Sequence, residues 1–458
     1  MKIIVCGAGL VGSSIAEHLA GENNDVTVVD QSPELIRKLE DAHEVQGVVG
    51  FASHPGVLER AGAKDADMVV AVTHYDEINM VACQVAHSLF DVKTKIARVR
   101  EQNYLKPVWA DLFSNDHMPI DVKISPETEI AKAIGRRLQI PGAFDSISLA
   151  DDKVHVIGVR CDEDCPVINT PLRQLTGLFS DLNILVVGII REDQLIVPNA
   201  NEQMLSSDEV YFVVDTNQVT RAMMAFGHEE AEARRTIIIG GGNIGLYLGE
   251  LIEDTFPGMS VKLIEIDEER AKYVEQTLKR SVVLCGDALD SDILNEANIA
   301  HTESVIAVTN DDEDNVLSSL LAKRQGAKRV ITLVNNTNYR SLITNLGIDV
   351  VVTPRDITVS TILKHVRRGR IRSVHSLREG VGEIIELEAL ETSQLVGQKL
   401  EDIELPLGVI VGAIVRDDEV LIPSGSTVIK ENDLVVLFAA AQAVKKVEKM
   451  FAVRLEYF

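Results

Sequence analysis

Ile3-Ile4-Val5-Cys6 runs directly into Gly7-Ala8-Gly9-Leu10-Val11-Gly12, and a second apolar run, Val26-Thr27-Val28-Val29, closes on Asp30. An apolar strand, a turn with three glycines and a helix form the nucleotide-cradling unit of a doubly wound parallel sheet. The glycines permit a tight turn and close backbone approach to a pyrophosphate, and the unpaired N–H groups at the helix start favour phosphate. An acid at the end of the next strand accepts hydrogen bonds from a ribose diol. Far downstream the chain repeats itself: Thr236-Ile237-Ile238-Ile239 leads into Gly240-Gly241-Gly242-Asn243-Ile244-Gly245, and Val261-Lys262-Leu263-Ile264 closes on Glu265.

Later landmarks recur at nearly constant spacing, the mark of an internal repeat. Gly50-Phe51-Ala52 answers to Gly286-Asp287-Ala288, Ala71-Val72-Thr73 to Ala307-Val308-Thr309, and Ser125-Pro126 to Thr353-Pro354. Short β-branched runs alternate with helical stretches between them, so each half is expected to be a parallel α/β sheet with right-handed crossovers. Each half is followed by a segment of short alternating strands. Gly188-Ile189-Ile190-Arg191 through Pro198 matches Ala413-Ile414-Val415-Arg416 through Pro423. Asp208 to Val214 likewise matches Asp433 to Ala439. Each match reads as a hairpin plus a final strand of a small α+β module. The expected organisation is two tandem Rossmann-like domains, at 1–140 and 229–370, each followed by a small α+β domain, at 141–228 and 371–458. Phe226-Gly227-His228 and the polar stretch that follows form the expected linker.

The 458 residues allow four modest domains. A formal charge of −25 argues against nucleic acid, which needs a positive surface. No window approaches the roughly twenty consecutive apolar residues of a membrane helix, and a strand at the N-terminus leaves no expected signal peptide. The five cysteines, Cys6, Cys83, Cys161, Cys165 and Cys285, show neither disulfide nor zinc spacing. Cys6 and Cys285 end apolar runs and read as small core hydrophobes. Cys161 and Cys165 flank Asp162-Glu163-Asp164 in an expected hairpin turn, as an incidental pair. The setting is a reducing cytoplasm.

With these motifs in this order, the chain resembles the TrkA family, peripheral cytoplasmic subunits of bacterial Trk potassium-uptake systems. Such proteins carry two copies of the RCK (regulator of potassium conductance) unit. The resemblance covers essentially the whole chain. It rests on both glycine fingerprints, Asp30 and Glu265, the two Ala-Val-Thr segments, Gly286-Asp287-Ala288, Leu421-Ile422-Pro423 and Asp433-Leu434-Val435. It implies regulation rather than catalysis. Such a subunit binds NAD or NADH and ATP or ADP, and sits at the cytoplasmic face of the inner membrane beneath a TrkH-like integral-membrane potassium channel or transporter. Two RCK units per chain suggest a homotetramer. Potassium itself enters only through the resemblance.

The expected nucleotide contacts of the first cleft are Gly7, Gly9, Leu10, Val11, Gly12, Asp30, Phe51, Ala52, Thr73, Arg98 and Arg100. Those of the second are Gly240, Gly242, Asn243, Ile244, Gly245, Glu265, Asp287, Ala288 and Thr309. Asp30 and Glu265 read as ribose acceptors because each directly follows an apolar strand. An acid there repels a 2′-phosphate, which favours NAD over NADP but does not separate NAD from ATP. The halves also differ. Phe51 stands where the second half has Asp287, which the resemblance places near the adenosine. Phe51 packs either on an adenine or on the pocket wall. Arg98 and Arg100, at the end of the expected fifth strand, have the uncharged counterparts Leu333 and Asn335. Two guanidiniums there suit a triphosphate, the competing account being an ion pair with a nearby acid.

Helix capping accounts for Thr73, Asp76, Thr309, Asp311 and Asp312 as well as ligand contact does. Asp311-Asp312-Glu313-Asp314 reads as a solvated helix start rather than a cation site. His365, Arg367, Arg368, Arg370 and Arg372 end a helical stretch, either to complement its dipole or as a docking surface for a channel subunit, a membrane face or acidic neighbours. A dehydrogenase is the rival reading. It needs an acid/base beside the nicotinamide, and the small modules show no obvious set; His155, isolated in an apolar strand, reads as structural. No GxxxxGK[ST], HExxH or GxSxG segment is present, so ATP hydrolysis and the other motif-borne hydrolytic chemistries find no support.

Overall fold

The computed structural model of the chain describes residues 1–458 apart from 22–23, 180–181, 337–338, 340–341, 344–345, 367–370, 378–379, 394 and 452–458. The first sheet comprises β1 (Lys2–Cys6), β2 (Asp25–Asp30), β3 (Gln46–Val49), β4 (Met68–Ala71), β5 (Thr94–Arg98) and β6 (Val122–Ile124). Its order is β3-β2-β1-β4-β5-β6, all parallel. This is the doubly wound arrangement read from the glycine turn. Central strands such as Met68–Ala71 are buried at every position, as a sheet covered on both faces requires. The order reverses between β1 and β4, and the first glycine turn leaves β1 at that switch point.

An antiparallel sheet follows, built from β7 (Ala143–Leu149), β8 (Val154–Arg160), β9 (Ile184–Arg191), β10 (Gln194–Ile196) and β11 (Glu209–Asp215). Its order is β10-β9-β11-β8-β7. The second parallel sheet repeats the first with β12 (Arg235–Ile239), β13 (Ser260–Glu265), β14 (Val282–Cys285), β15 (Ser304–Ala307), β16 (Arg329–Leu333) and β17 (Val350–Val352), ordered β14-β13-β12-β15-β16-β17. The last sheet has β18 (Ile371–Leu377), β19 (Gly382–Glu388), β20 (Val409–Arg416), β21 (Glu419–Leu421) and β22 (Leu434–Ala440), ordered β18-β19-β22-β20-β21. The α/β fold with two Rossmann-like sheets and two small α+β modules is therefore present.

The chain divides into two compact units that do not follow sequence order. The first is Met1–Glu129 with Ile357–Val366, and the second is Ile130–Asp356 with Arg367–Phe458. Within the first, Val359, Ile362, Leu363 and Val366 pack on Ile3, Val5, Val28 and Val70, so the late helix Pro354–Val366 covers the first sheet. Within the second, Gly135 of the helix Pro126–Gln139 lies so close to Leu251 that a Cβ would fall 2.8 Å from Leu251 Cδ2.

Also within the second unit, the two antiparallel sheets share one apolar cluster, in which Val156, Tyr211 and Val213 meet Ile384, Val436 and Phe438. Gly412 permits this approach, since a Cβ there would lie 2.6 Å from Val213 Cγ2. The opposite face of each sheet packs on its own module, including Phe226 in one and Phe451 in the other. The Arg and Asp of the sequence matches form locks in which a half-buried arginine grips a buried aspartate. Arg191 donates to Asp208 at 2.9 and 2.7 Å, and Arg416 to Asp433 at 2.8 and 2.7 Å. Arg329 is half-buried, desolvation pushes its guanidinium down to about 10, and it donates to the Arg137 and Ala143 carbonyls.

Two expectations are corrected. Cys285 is exposed rather than a core residue, because β14 is an edge strand. Cys161 and Cys165 are buried free thiols. Their turn does not join hairpin partners, since β8 pairs with β7 and β11 and the chain reaches β9 through the helix Leu172–Leu178. Among the described residues, no helix is long and apolar enough to cross a membrane.

Candidate functional site

Both glycine turns have the same construction. Gly7 and Gly240 adopt φ of +111° and +103°, which L side chains rarely take. Gly12 and Gly245 face the turn itself: a Cβ at either would sit 1.9 Å from the carbonyl oxygen of Gly7 or Gly240. Gly9 and Gly242 are different, because a Cβ there would meet nothing within 4 Å. Packing explains the first four glycines. It does not explain the last two, which face open space where the helices Leu10–Gly21 and Asn243–Thr255 begin. Unpaired helix N–H groups at such a point attract anions. Leu10 is 67 % exposed and Asn243 is also exposed, while Val11 and Ile244 are half-buried beside them.

The two acids hold the turns. Asp30 accepts from Ala8 N–H at 2.7 Å and Ser32 N–H at 2.8 Å. Glu265 accepts from Gly241 N–H at 2.6 Å and Asp267 N–H at 2.9 Å. These bonds use one lone pair on each carboxylate oxygen and fix its direction, leaving further acceptor capacity for a diol.

Thr73 and Thr309 are held in matching clamps. Asn79 Oδ1 accepts from Thr73 N–H at 2.8 Å and from its hydroxyl at 2.7 Å, while Asn79 Nδ2 donates to the Arg98 carbonyl at 3.0 Å. Asn315 repeats this with Thr309 and the Leu333 carbonyl, at 2.8, 2.8 and 3.1 Å. Both asparagines are fully buried. Asp76 Oδ2 accepts the N–H groups of Arg100 and Glu101, each at 2.8 Å, and Asp312 those of Asn335 and Asn336. Asp311 caps its helix by accepting from Asp314 N–H at 2.9 Å. These acids hold backbone together, and among the described residues no group of three or more His, Cys, Asp or Glu could hold a metal ion.

The structure brings Arg98 and Arg100 together on one acid, Glu127, in the first turn of Pro126–Gln139. Arg100 Nε donates to Glu127 Oε1 at 2.8 Å, and Arg98 Nη2 stands 3.6 Å from the same oxygen. Burial pushes the Arg98 guanidinium below its ordinary value, opposed by the attraction of Glu127. Phe51 is 50 % exposed beside His54 and fills no buried wall. Ala52 is buried, and Ala288 packs on the second core. Asp287 accepts from Leu289 N–H at 2.8 Å.

Sequence reasoning passed over Glu127 and Arg270. Arg270 donates to the Gly241 carbonyl at 2.7 Å and to Asn243 Oδ1 at 3.3 Å, and it lies over the Tyr273 ring. Its position five residues after Glu265 was the available signal; the first half has Leu35 there. Of the basic cluster, Arg367, Arg368 and Arg370 lie outside the described residues, and Arg372 faces Glu388 at 3.5 Å.

The TrkA-N domain family matches residues 3–126 and again 236–354, and the TrkA-C domain family matches 156–227 and 384–452. The chain belongs to the TrkA family. A relative from Azorhizobium caulinodans, Trk system potassium uptake protein TrkA, is 53 % identical over 458 residues and all of both chains. The protein of that name from Vibrio alginolyticus is 42 % identical over 455 residues, 98 % of each chain. Among solved structures, the GsuK channel bound to NAD aligns over 99 % of this chain and 79 % of its own, with a TM-score of 0.60 and 19 % identity, a likeness of fold.

Proposed function

We propose that this TrkA-family chain is the nucleotide-responsive regulatory subunit of a potassium-uptake system. It binds NAD(H) or ATP/ADP in each glycine cleft and catalyses no reaction of its own. Gly7, Gly9, Leu10, Val11 and Gly12 cradle phosphates in the first cleft, and Gly240, Gly242, Asn243, Ile244 and Gly245 do so in the second. Asp30 and Glu265 take the ribose diols. Phe51, Ala52 and Thr73, and Asp287, Ala288 and Thr309, border the bases and sugars, while Arg98 and Arg100 take the terminal phosphate of ATP. Different nucleotides stabilise different arrangements of the paired parallel sheets, by as much free energy as their affinities differ. The arrangement gates a TrkH-like channel or transporter at the cytoplasmic face of the membrane, with the chain acting as a homotetramer.

The observation that carries this reading is the open space at Gly9 and Gly242, next to acids already aimed by backbone N–H groups. The names of the relatives supply the potassium system. A dehydrogenase reading gains nothing from the small modules, whose sheets pack on both faces and whose Arg–Asp pairs are locks.

Titration calorimetry with NAD, NADH, ADP and ATP, on the full chain and on Asp30→Asn and Glu265→Gln variants, tests the proposal. Each variant should lose one class of site and keep the other. A wild-type chain that binds none of the four, or that turns over NADH with a substrate, would sink it.

A further inference from the structure

We propose that Glu127 is an internal anion seated where the terminal phosphate of a triphosphate binds, and that it sets the first cleft's choice between ATP and shorter or dinucleotide ligands. This rests on the nucleotide-binding reading above and assigns a specificity-determining residue within it.

Glu127 is buried, with its side chain 6 % exposed, yet it engages both guanidiniums through one oxygen only. Its Oε2 and the Nε of Arg98 are buried without hydrogen-bond partners. A single carboxylate oxygen is thus doing what bidentate geometry would do better, and arginine pairs are most strongly satisfied by planar or multi-oxygen anions. A phosphate group with three terminal oxygens can serve both arginines and take up the bare Arg98 donor.

Charge counting decides which group must yield. Arg98 and Arg100 are balanced by Glu127 and by Asp76, the neighbouring acid that also bears on Arg98. An incoming terminal phosphate therefore meets a neutral cluster, and a stable complex needs one carboxylate to leave. Asp76 holds the backbone N–H groups of Arg100 and Glu101. Glu127 holds only the arginines, so it is the acid that moves.

The second half supports the pairing of function between these residues. Where the first has Arg98, Arg100 and Glu127, the second has Leu333, Asn335 and, by the alignment of Ser125-Pro126 with Thr353-Pro354, Arg355. The acid is present where the arginines are and absent where they are not. ADP and NADH leave Glu127 seated on the arginines. ATP displaces it, and the first turn of the helix Pro126–Gln139 loses its tie to β5.

The test is titration calorimetry of full-length wild type and Glu127→Gln with ATP, ADP and NADH, the second cleft serving as internal reference. Removing the internal anion should tighten ATP at the first cleft by about tenfold, or ~1.4 kcal/mol, and leave ADP and NADH within about twofold. Glu127→Asp, whose shorter side chain withdraws from both guanidiniums while keeping the negative charge at the helix start, should act in the same direction. It provides the reading if Glu127→Gln does not fold. Weaker ATP binding in the variants would mean that Glu127 only positions the arginines, and unchanged or uniformly altered affinities would remove its role in selection. Either result overturns the proposal while leaving nucleotide binding intact; failure of wild type to bind any nucleotide overturns the parent reading instead.

Discussion

Gly9→Ala and Gly12→Ala place one methyl group three residues apart in the same turn, and the structure assigns them opposite consequences. At Gly12 the new Cβ would lie 1.9 Å from the Gly7 carbonyl oxygen, about 1.5 Å short of the 3.4 Å at which ordinary contact begins. The obstacle is backbone, so no rotamer relieves it, and the cost is about 3 kcal/mol or more. At Gly9 the methyl meets nothing, and φ there is not positive. Loss of unfolded-state freedom favours alanine, while the helix start slightly disfavours it, so stability should stay within about 0.5 kcal/mol of wild type. On the proposed reading the same methyl stands where a pyrophosphate approaches, and affinity at the first cleft should fall by on the order of tenfold to a hundredfold, ~1.4–2.8 kcal/mol. Thermal unfolding without nucleotide, together with calorimetry using NADH and ATP, separates the two effects. Gly9→Ala that binds like wild type would refute the assignment of its open space to a ligand. Gly9→Ala that melts as early as Gly12→Ala would refute the packing argument.

The Asn79 clamp should be worth more than an isolated polar contact: Asn79→Ala strands the part-buried Thr73 N–H and Arg98 carbonyl together, for a loss of about 2 kcal/mol. Chemical denaturation checks this, and Asn315→Ala should cost a similar amount. Glu303, held down to about 2 by its hydrogen bond to Arg235, should contribute fully above pH 4.5 and lose that contribution as pH falls through 4.5 towards 2. Because Arg235 is half-exposed, solvent screening leaves about 1 kcal/mol, read as a stability gap between wild type and Glu303→Gln that closes on acidification in urea melts.

The parallel sheets were legible because their determinants are local. A continuous apolar run, glycines at fixed spacing and an acid after the next strand constrain one another within about thirty residues. The hairpins Ile184–Ile196 and Val409–Leu421 were legible for the same reason. What escaped is set at long range. Nothing near Val359 or Ile362 indicates that their helix covers a sheet some 230 or more residues earlier, because an apolar helical face does not name its partner. Cys285 ends an apolar run like Cys6, but one closes an edge strand and the other a central strand, and only strand order distinguishes them. Glu127 has nothing in its local sequence to set it apart from any acid in the first turn of a helix, where the dipole favours one. Its meeting with Arg98 and Arg100 depends on β5 and β6 being neighbours.

If both clefts bind nucleotides as proposed, Glu127 gives one fingerprint two possible answers. Glycines, aimed acids and Thr–Asn clamps are duplicated with nearly equal distances, so they cannot discriminate between nucleotides. The differences lie at opposite ends of the cleft. The first has Arg98 and Arg100 at and just past the end of β5, checked by Glu127, and an uncharged Leu35 at the position that corresponds to Arg270. The second has Arg270 fixed to the turn itself and no charge at Leu333 or Asn335. A cation beyond the fifth strand rewards a ligand that carries negative charge at its far end, whereas one beside the glycines rewards the phosphates that every candidate shares. On electrostatic grounds, then, the first cleft should be the one that distinguishes ATP from NADH and ADP, and the second the one that registers a nucleotide with less regard to which it is.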